Sequence, residues 1–251
     1  RNIHYAFFIN NSEEVNAFAG PGGTIVINSG LILDTNKEDE LAAVMAHEIA
    51  HSEQKHWLSD LNRQKSMQIP IVANSLAAIA LGLINPALGS VALVGGMAGY
   101  AQKQINVTRS HEEEADRIGI KLLYEAGYNP QGMVDFLKQL HKANQYHDYA
   151  SIPPILLDHP LDQIRIADAE NRVAQLPKKH YIVNKEYIYV KEIIRVLTNK
   201  NYSALLHYYQ QELKKQPHNI ALRYGYTLTL MKMLKFSLAK PELEKLLQES
   251  P

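Results

Sequence analysis

The 251 residues include no cysteine. Disulfide bonds and thiolate metal sites are therefore excluded, and any metal must be held by histidine and carboxylate. Neither sign of charge is in excess, since 26 Lys and Arg balance 26 Asp and Glu. The basic surplus that usually marks phosphate binding is missing, which argues against nucleic acid as the main partner. The chain opens at Arg1 with neither Met nor a signal-like leader, so a mature or trimmed piece of a longer protein is expected. A cysteine-free chain fits an oxidising bacterial periplasm, and fits other compartments too. Charge is also missing locally, with none between Ser66 and Gln102. A membrane-spanning helix needs about 20 apolar residues, and Pro70, Asn74, Asn85-Pro86 and Gly95-Gly96 interrupt this run. The reading is two apolar segments, 71–84 and 87–100, forming a compact helical hairpin. That hairpin is either core or dips into a partner or membrane, so peripheral membrane contact by 66–102 is a possible role.

What remains is ordinary for a globular protein: 46% apolar and 21% charged residues. Residues 4–9 read as a strand, and a Gly/Pro turn signal ending at Gly23 precedes the β-branched run Thr24-Ile25-Val26-Ile27-Asn28. Together they predict a hairpin or small sheet. Helical spacing follows over 38–57, 108–125, 130–146 and 160–176, and Gly127 with Asn129-Pro130 marks a stop. Lys178-Lys179-His180 marks a boundary. Beyond it, helices at 185–198, 202–215, 219–233 and 237–249 are rich in Tyr, Leu and Lys, with Tyr208, Tyr209, Tyr224 and Tyr226 suited to packing between them. Pro217 and Pro251 lie 34 positions apart, the tetratricopeptide period. Two such units do not make a stable array, so they are expected to pack on the first domain or to continue further. The fold class is thus mainly α with a small β-sheet in residues 1–177, followed by all-α helical repeats in 178–251.

His47-Glu48-Ile49-Ala50-His51 is the centre of the functional case. Residues four apart share a helix face, so both histidines can reach one metal ion. Glu48 points beside that ion, where a carboxylate can take a proton from water. Catalytic zinc takes three protein ligands and keeps one position open. Ser110-His111-Glu112-Glu113-Glu114-Ala115-Asp116 offers the third, because Glu112 and Asp116 share a face. One of the two would bind one zinc ion per chain, while the other would accept a hydrogen bond from a ligand imidazole. A solvated acidic first turn is the plain alternative.

Four stretches make the resemblance specific: Asn16-Ala17-Phe18-Ala19-Gly20-Pro21-Gly22-Gly23, the motif at 47–51, Glu112 to Asp116, and Asp158-His159-Pro160 with Arg165. In this order, over about residues 1–175, the chain resembles the zinc metallopeptidases of the HtpX and CAAX-prenyl-protease family, in their soluble, repeat-bearing BepA-like branch. Gly20 departs from the pattern, standing where a larger apolar residue is expected. The resemblance implies Glu112 as third ligand, a gluzincin-type core with a zinc-binding helix pair beside a small sheet, and periplasmic work in quality control or assembly of outer-membrane proteins.

Glu48, His159 and Arg165 are the candidate catalytic residues. His159 has three readings: it fills the open zinc position and keeps the enzyme latent, it stabilises the oxyanion, or it only hydrogen-bonds within its loop. Arg165 binds a substrate carboxylate or braces that loop, and bracing is favoured. His56 and His111 lie near the site in sequence and read either as supports for its ligands or as surface residues, with the surface reading favoured. The expected reaction is hydrolysis of a peptide bond, with Glu48 moving the proton from water to the leaving amine. Thr24 to Asn28 is the candidate strand for pairing with an extended, unfolded substrate, and the repeats would dock a protein partner. Two other readings compete. A chaperone-like scaffold with a latent site is weakened by the complete set His47, Glu48, His51 and Glu112. A structural zinc site would be closed and four-coordinate.

Overall fold

The computed structural model describes residues 3–56, 58–59, 62, 86–146, 153–181 and 183–249. Strands β1 (Ala6–Asn10), β2 (Ala17–Gly20) and β3 (Thr24–Asn28) form one sheet in the order β1-β3-β2. β2 and β3 make an antiparallel hairpin around a 3-10 turn at Pro21–Gly23, with Ala19 opposite Ile25. Gly22 and Gly23 take φ of 78° and 85° there, a region only glycine enters freely. A Cβ on Gly23 would also stand 2.6 Å from the His4 carbonyl oxygen. Gly20 is ordinary extended backbone, and a Cβ added to it would meet nothing nearer than 3.7 Å. The turn therefore tolerates glycine or a larger residue at this position.

β1 lies on the other side of β3 and parallel to it, Phe8 opposite Val26. This corrects one expectation. Thr24, Ile25, Val26, Ile27 and Asn28 form the central strand, with β1 and β2 on its two edges. A strand paired on both sides has no free row of N–H and C=O groups to offer a substrate.

Helix α1 (Ser29–Asp34) leads into α2 (Glu38–Gln54), whose first turn carries Glu38, Asp39 and Glu40, the sign that the helix dipole favours. α2 stops earlier than position 57 because Lys55 adopts a left-handed conformation, φ 55°, with its N–H on the His51 and Ser52 carbonyls. α3 (Pro86–Ala126) is one continuous 41-residue helix, about 60 Å long at 1.5 Å per residue. The predicted break between 100 and 108 is absent. Glycines such as Gly95 and Gly96 each cost a helix only about 1 kcal/mol, and Pro86 at its first position is the one proline within α3. The other proposed apolar segment, 71–84, lies outside the described residues. α3 ends in a Schellman turn at Gly127, φ 90°, with Tyr128 N–H on the Leu123 carbonyl and Gly127 N–H on that of Tyr124. α4 (Gln131–Tyr146), the short α5 (Pro154–Asp158) and α6 (Gln163–Gln175) follow. α5 was not expected, and α6 starts after Asp162, whose side chain caps the Arg165 N–H.

Two buried clusters fix these elements. Ala17, Ile25, Leu31, Val44, Phe136 and Ile155 join the sheet to α1, α2, α4 and α5. Ala43, Ala46, Ile120, Leu123, Met133, Leu137 and Ala169 join α2, α3, α4 and α6. Gly119 lets α3 come close to α2, since a Cβ there would stand 3.3 Å from the His47 backbone nitrogen.

Helices α7 (Tyr187–Thr198), α8 (Tyr202–Lys215), α9 (Ile220–Lys232) and α10 (Phe236–Glu249) close the chain, with Asn201 and Asn219 as N-caps. Val196, Leu205, Tyr209 and Leu222 form a separate core, while Tyr208 lies largely outside it. α7 docks on α1, where Tyr187 Oη and Thr35 Oγ1 are 2.6 Å apart and Ile194 joins the N-terminal core. No helix among the described residues is long and apolar enough to cross a membrane.

Candidate metal centre

Helix α2 presents His47 and His51 one turn apart, with their Nε2 atoms separated by 2.9 Å. α3 supplies Glu112, with Oε2 3.3 Å from His47 Nε2 and Oε1 3.3 Å from His51 Nε2. The turn between α5 and α6 supplies His159, whose Nδ1 is 3.3 Å from His47 Nε2 and 3.1 Å from Glu112 Oε1. Each of the four offers one donor atom within 4.8 Å of the others. Imidazoles and one carboxylate, without thiolate, are a donor set that zinc accepts.

Glu48 is buried beside this group. Its Oε1 has no hydrogen-bond partner and lies 3.4 Å from His159 Nε2. The backbone of Ala19 in β2 lies close enough to favour the ionised form of the same carboxylate, a weaker influence than burial. Burial pushes the Glu48 carboxyl above its usual range, the direction wanted for a group that must both take and return a proton. Phe18, Ala19, Glu48, His51, Glu112 and His159 line a cleft of about 190 Å³, so β2, and not β3, borders the site.

Charge is divided unevenly among the ligand candidates. Burial opposes a charge on His47, but its hydrogen bonds to the Asp116 and Glu112 carboxylates outweigh it and push the imidazole up to about 10. Burial and the neighbouring His47 charge push His51 down to about 3. Burial works against the Glu112 carboxylate, yet His159 and the two other histidines hold it well below the carboxylate range. His159 is raised despite its burial by Glu48 and Glu112.

Asp116 faces His47 from behind, Oδ1 to Nδ1 at 2.9 Å. It also accepts from Arg165 Nε and NH2 at 2.8 and 2.9 Å. Arg165 NH1 reaches the Pro160 carbonyl at 2.8 Å and Glu112 Oε2 at 2.9 Å. Only 4% exposed, this guanidinium is committed to the protein and is not open to a substrate carboxylate. His159 sits on a turn tied to the segment leading into β2 by Asn16 Nδ2 donating to Asp158 Oδ2 at 2.9 Å and by Ile155 N–H on the Val15 carbonyl.

For His56 the favoured surface reading fails, and the alternative beside the ligands holds. It is 4% exposed, with Nδ1 2.9 Å from His51 Nδ1, and His111 stacks on it at 4.1 Å. Five positions after His51, it would leave the metal face of a continuous helix. The left-handed Lys55 brings it back, and a lysine gives no sequence signal for that conformation.

Comparison with known proteins agrees with this chemistry. A profile described as Peptidase family M48 matches residues 2–173, and the chain belongs to that family. Peptidases of this family are zinc-dependent. The chain is 35% identical over 250 residues to a putative beta-barrel assembly-enhancing protease of Vibrio cholerae and to the beta-barrel assembly-enhancing protease of Escherichia coli, covering 98% of this chain and 51% of each relative. It is 30% identical over 176 residues to the mitochondrial metalloendopeptidase OMA1 of Saccharomyces cerevisiae, covering 66% of this chain and 45% of that protein. The chain thus spans about half the length of the curated relatives it matches.

Proposed function

We propose that this member of peptidase family M48 is a zinc-dependent endopeptidase of the BepA-like branch, acting on unfolded or misassembled proteins during outer-membrane protein assembly in the bacterial periplasm. The convergence of His47, His51, Glu112 and His159 beside an unpartnered Glu48 carboxylate oxygen carries the reading. His47, His51 and Glu112 hold the metal, and Asp116 orients His47. When bound, zinc supplies Lewis-acid polarisation of the scissile carbonyl and makes water a competent nucleophile near neutral pH. Glu48 removes the water proton and returns it to the leaving amine. Arg165 neutralises Asp116 and braces the Pro160 turn.

His159 acts as a fourth ligand in a resting form. Its short distances to His47 and Glu112 support this over an oxyanion role. Substrate chains pair with the β2 edge, which borders the cleft. Residues 1–177 form the protease domain, and 178–251 form tetratricopeptide-like repeats that dock a protein partner. Peripheral membrane contact belongs to 66–102, whose described part carries no charge.

The deciding experiment compares hydrolysis of an unfolded protein by zinc-loaded wild type, Glu48→Gln and His159→Ala. Activity lost in Glu48→Gln and raised in His159→Ala is the expected result. No hydrolysis by any of them, with zinc bound, would overturn the protease reading in favour of a scaffold acting through the repeats.

A further inference from the structure

Both histidines of α2 use Nε2 toward the metal position, so each has an Nδ1 that must be satisfied inside the protein. For His47 the partner is Asp116. For His51 the atom within reach is a third imidazole, His56 Nδ1 at 2.9 Å. Two ring nitrogens can bond only if one carries the proton and the other accepts it. A neutral ligand bound through Nε2 carries its proton on Nδ1, so His51 donates and His56 accepts. His56 must then keep its proton on Nε2, and that atom faces Glu114 Oε2 at 3.3 Å. The direction of the chain is consistent from end to end: His51 to His56 to Glu114.

We infer that His56 is a positioning residue for the metal, fixing the tautomer and ring plane of His51, with Glu114 setting the tautomer of His56 and His111 clamping its ring. The inference rests on His51 being a zinc ligand, as proposed above. His111 lies over His56 with rings 6° from parallel and centroids 4.1 Å apart, which restrains the acceptor lone pair to the direction of His51. Lys55, in its left-handed conformation, provides the reversal that allows this. α2 therefore carries two ligands with different supports, a carboxylate behind one and an imidazole behind the other.

The test uses two variants and does not depend on hydrolysis. His56→Phe keeps an aromatic face for His111 and removes the acceptor. His56→Gln restores an acceptor without the ring. Zinc affinity is measured by chelator competition, the Co(II)-substituted protein is examined by its visible d–d absorption, and the metal-free chains are melted. The expected result is zinc binding weakened about 10- to 100-fold in His56→Phe, with an altered cobalt spectrum, an unchanged metal-free melting temperature, and substantial recovery in His56→Gln. Wild-type zinc affinity and cobalt spectrum in His56→Phe would overturn the inference while leaving the protease reading intact. Equal loss of metal-free stability and of zinc binding in both variants would reduce His56 to a packing residue. Failure of the wild type itself to bind zinc would overturn both readings.

Discussion

Asp116 touches His47 and Arg165 at once: its Oδ1 is 2.9 Å from His47 Nδ1, and both its oxygens accept from the guanidinium. All three side chains are buried, so the carboxylate balances one fixed cation while orienting an imidazole. Removing it in Asp116→Ala leaves Arg165, among the described residues, with Glu112 as its remaining side-chain ion pair. Breaking a buried pair in this way costs about 3–5 kcal/mol. Urea denaturation should register that loss, and zinc affinity should fall about 10- to 100-fold. Asp116→Asn, which keeps an acceptor for His47, should retain more of both. A stable Asp116→Ala protein with wild-type zinc affinity would contradict the assignment.

The pH dependence of metal binding follows from His47. In the metal-free chain its imidazole is held up to about 10 after burial is outweighed by Asp116 and Glu112. That is above the usual histidine value of about 6.5. The stability this group contributes is therefore complete below about pH 6.5 and disappears as pH rises toward 10. Zinc needs the Nε2 lone pair, so at pH 7 binding must expel a proton from His47. Zinc affinity should rise with pH between 6 and 9. Calorimetry at pH 7 in two buffers of different ionisation enthalpy should show net proton release. Binding with no buffer dependence would mean that His47 is already neutral or is not a ligand.

Legibility in the sequence differed by the kind of signal. The helix bearing His47 and His51 is visible because i and i+4 spacing is a property of any helix. Gly127 declares the end of α3 through the left-handed turn it permits. Lys55 makes a similar turn without glycine, so both the end of α2 and the return of His56 to His51 were hidden. Strand order was hidden for another reason. The run from Thr24 to Asn28 has strand chemistry whichever neighbours it takes, and only the parallel docking of β1 makes it central. α5 was obscured because Pro153-Pro154 reads as a break, although Pro154 stands at the first turn, where proline is tolerated.

Placing β2 at the cleft gives a prediction about substrates. Asn28 N–H bonds the Asn16 carbonyl in this ladder, so the amides of Ala17 and Ala19, which alternate with that pairing, face the edge of β2 away from β3. A peptide paired with this edge would use every second amide for the ladder. A series of cleavable peptides, each N-methylated at one successive position, should therefore show an alternating pattern in KM. Each methyl on a ladder amide should weaken binding about 3- to 10-fold, the worth of one hydrogen bond near 0.5–1.5 kcal/mol. A smooth profile without alternation would remove the β2 pairing.

The two-domain proposal makes a separable claim about stability. Gly225 of α9 lies against the buried ring of Tyr209, and a Cβ there would stand 2.3 Å from Tyr209 Oη. That hydroxyl donates to Glu192 Oε2 at 2.5 Å, tying α8 to α7. Gly225→Ala must therefore push the Tyr209 ring out of place and loosen its bond to Glu192, an overpacking cost of about 1–3 kcal/mol. The core of α7 to α9 contains Val196, Leu205, Tyr209 and Leu222, apart from the two clusters that hold α2 and α3 together. Hydrogen exchange should accelerate in α8 and α9 of the variant while amides around His47, His51 and Glu112 stay protected, and zinc affinity should remain within about twofold of wild type. Tyr187 on Thr35, Lys191 on the Thr35 carbonyl and Ile194 in the N-terminal cluster dock α7 on α1, so some loosening of α7 against α1 is compatible with the claim. Loss of protection around His47 to the same extent as in α9 would mean that residues 1–177 and 178–251 unfold as one unit.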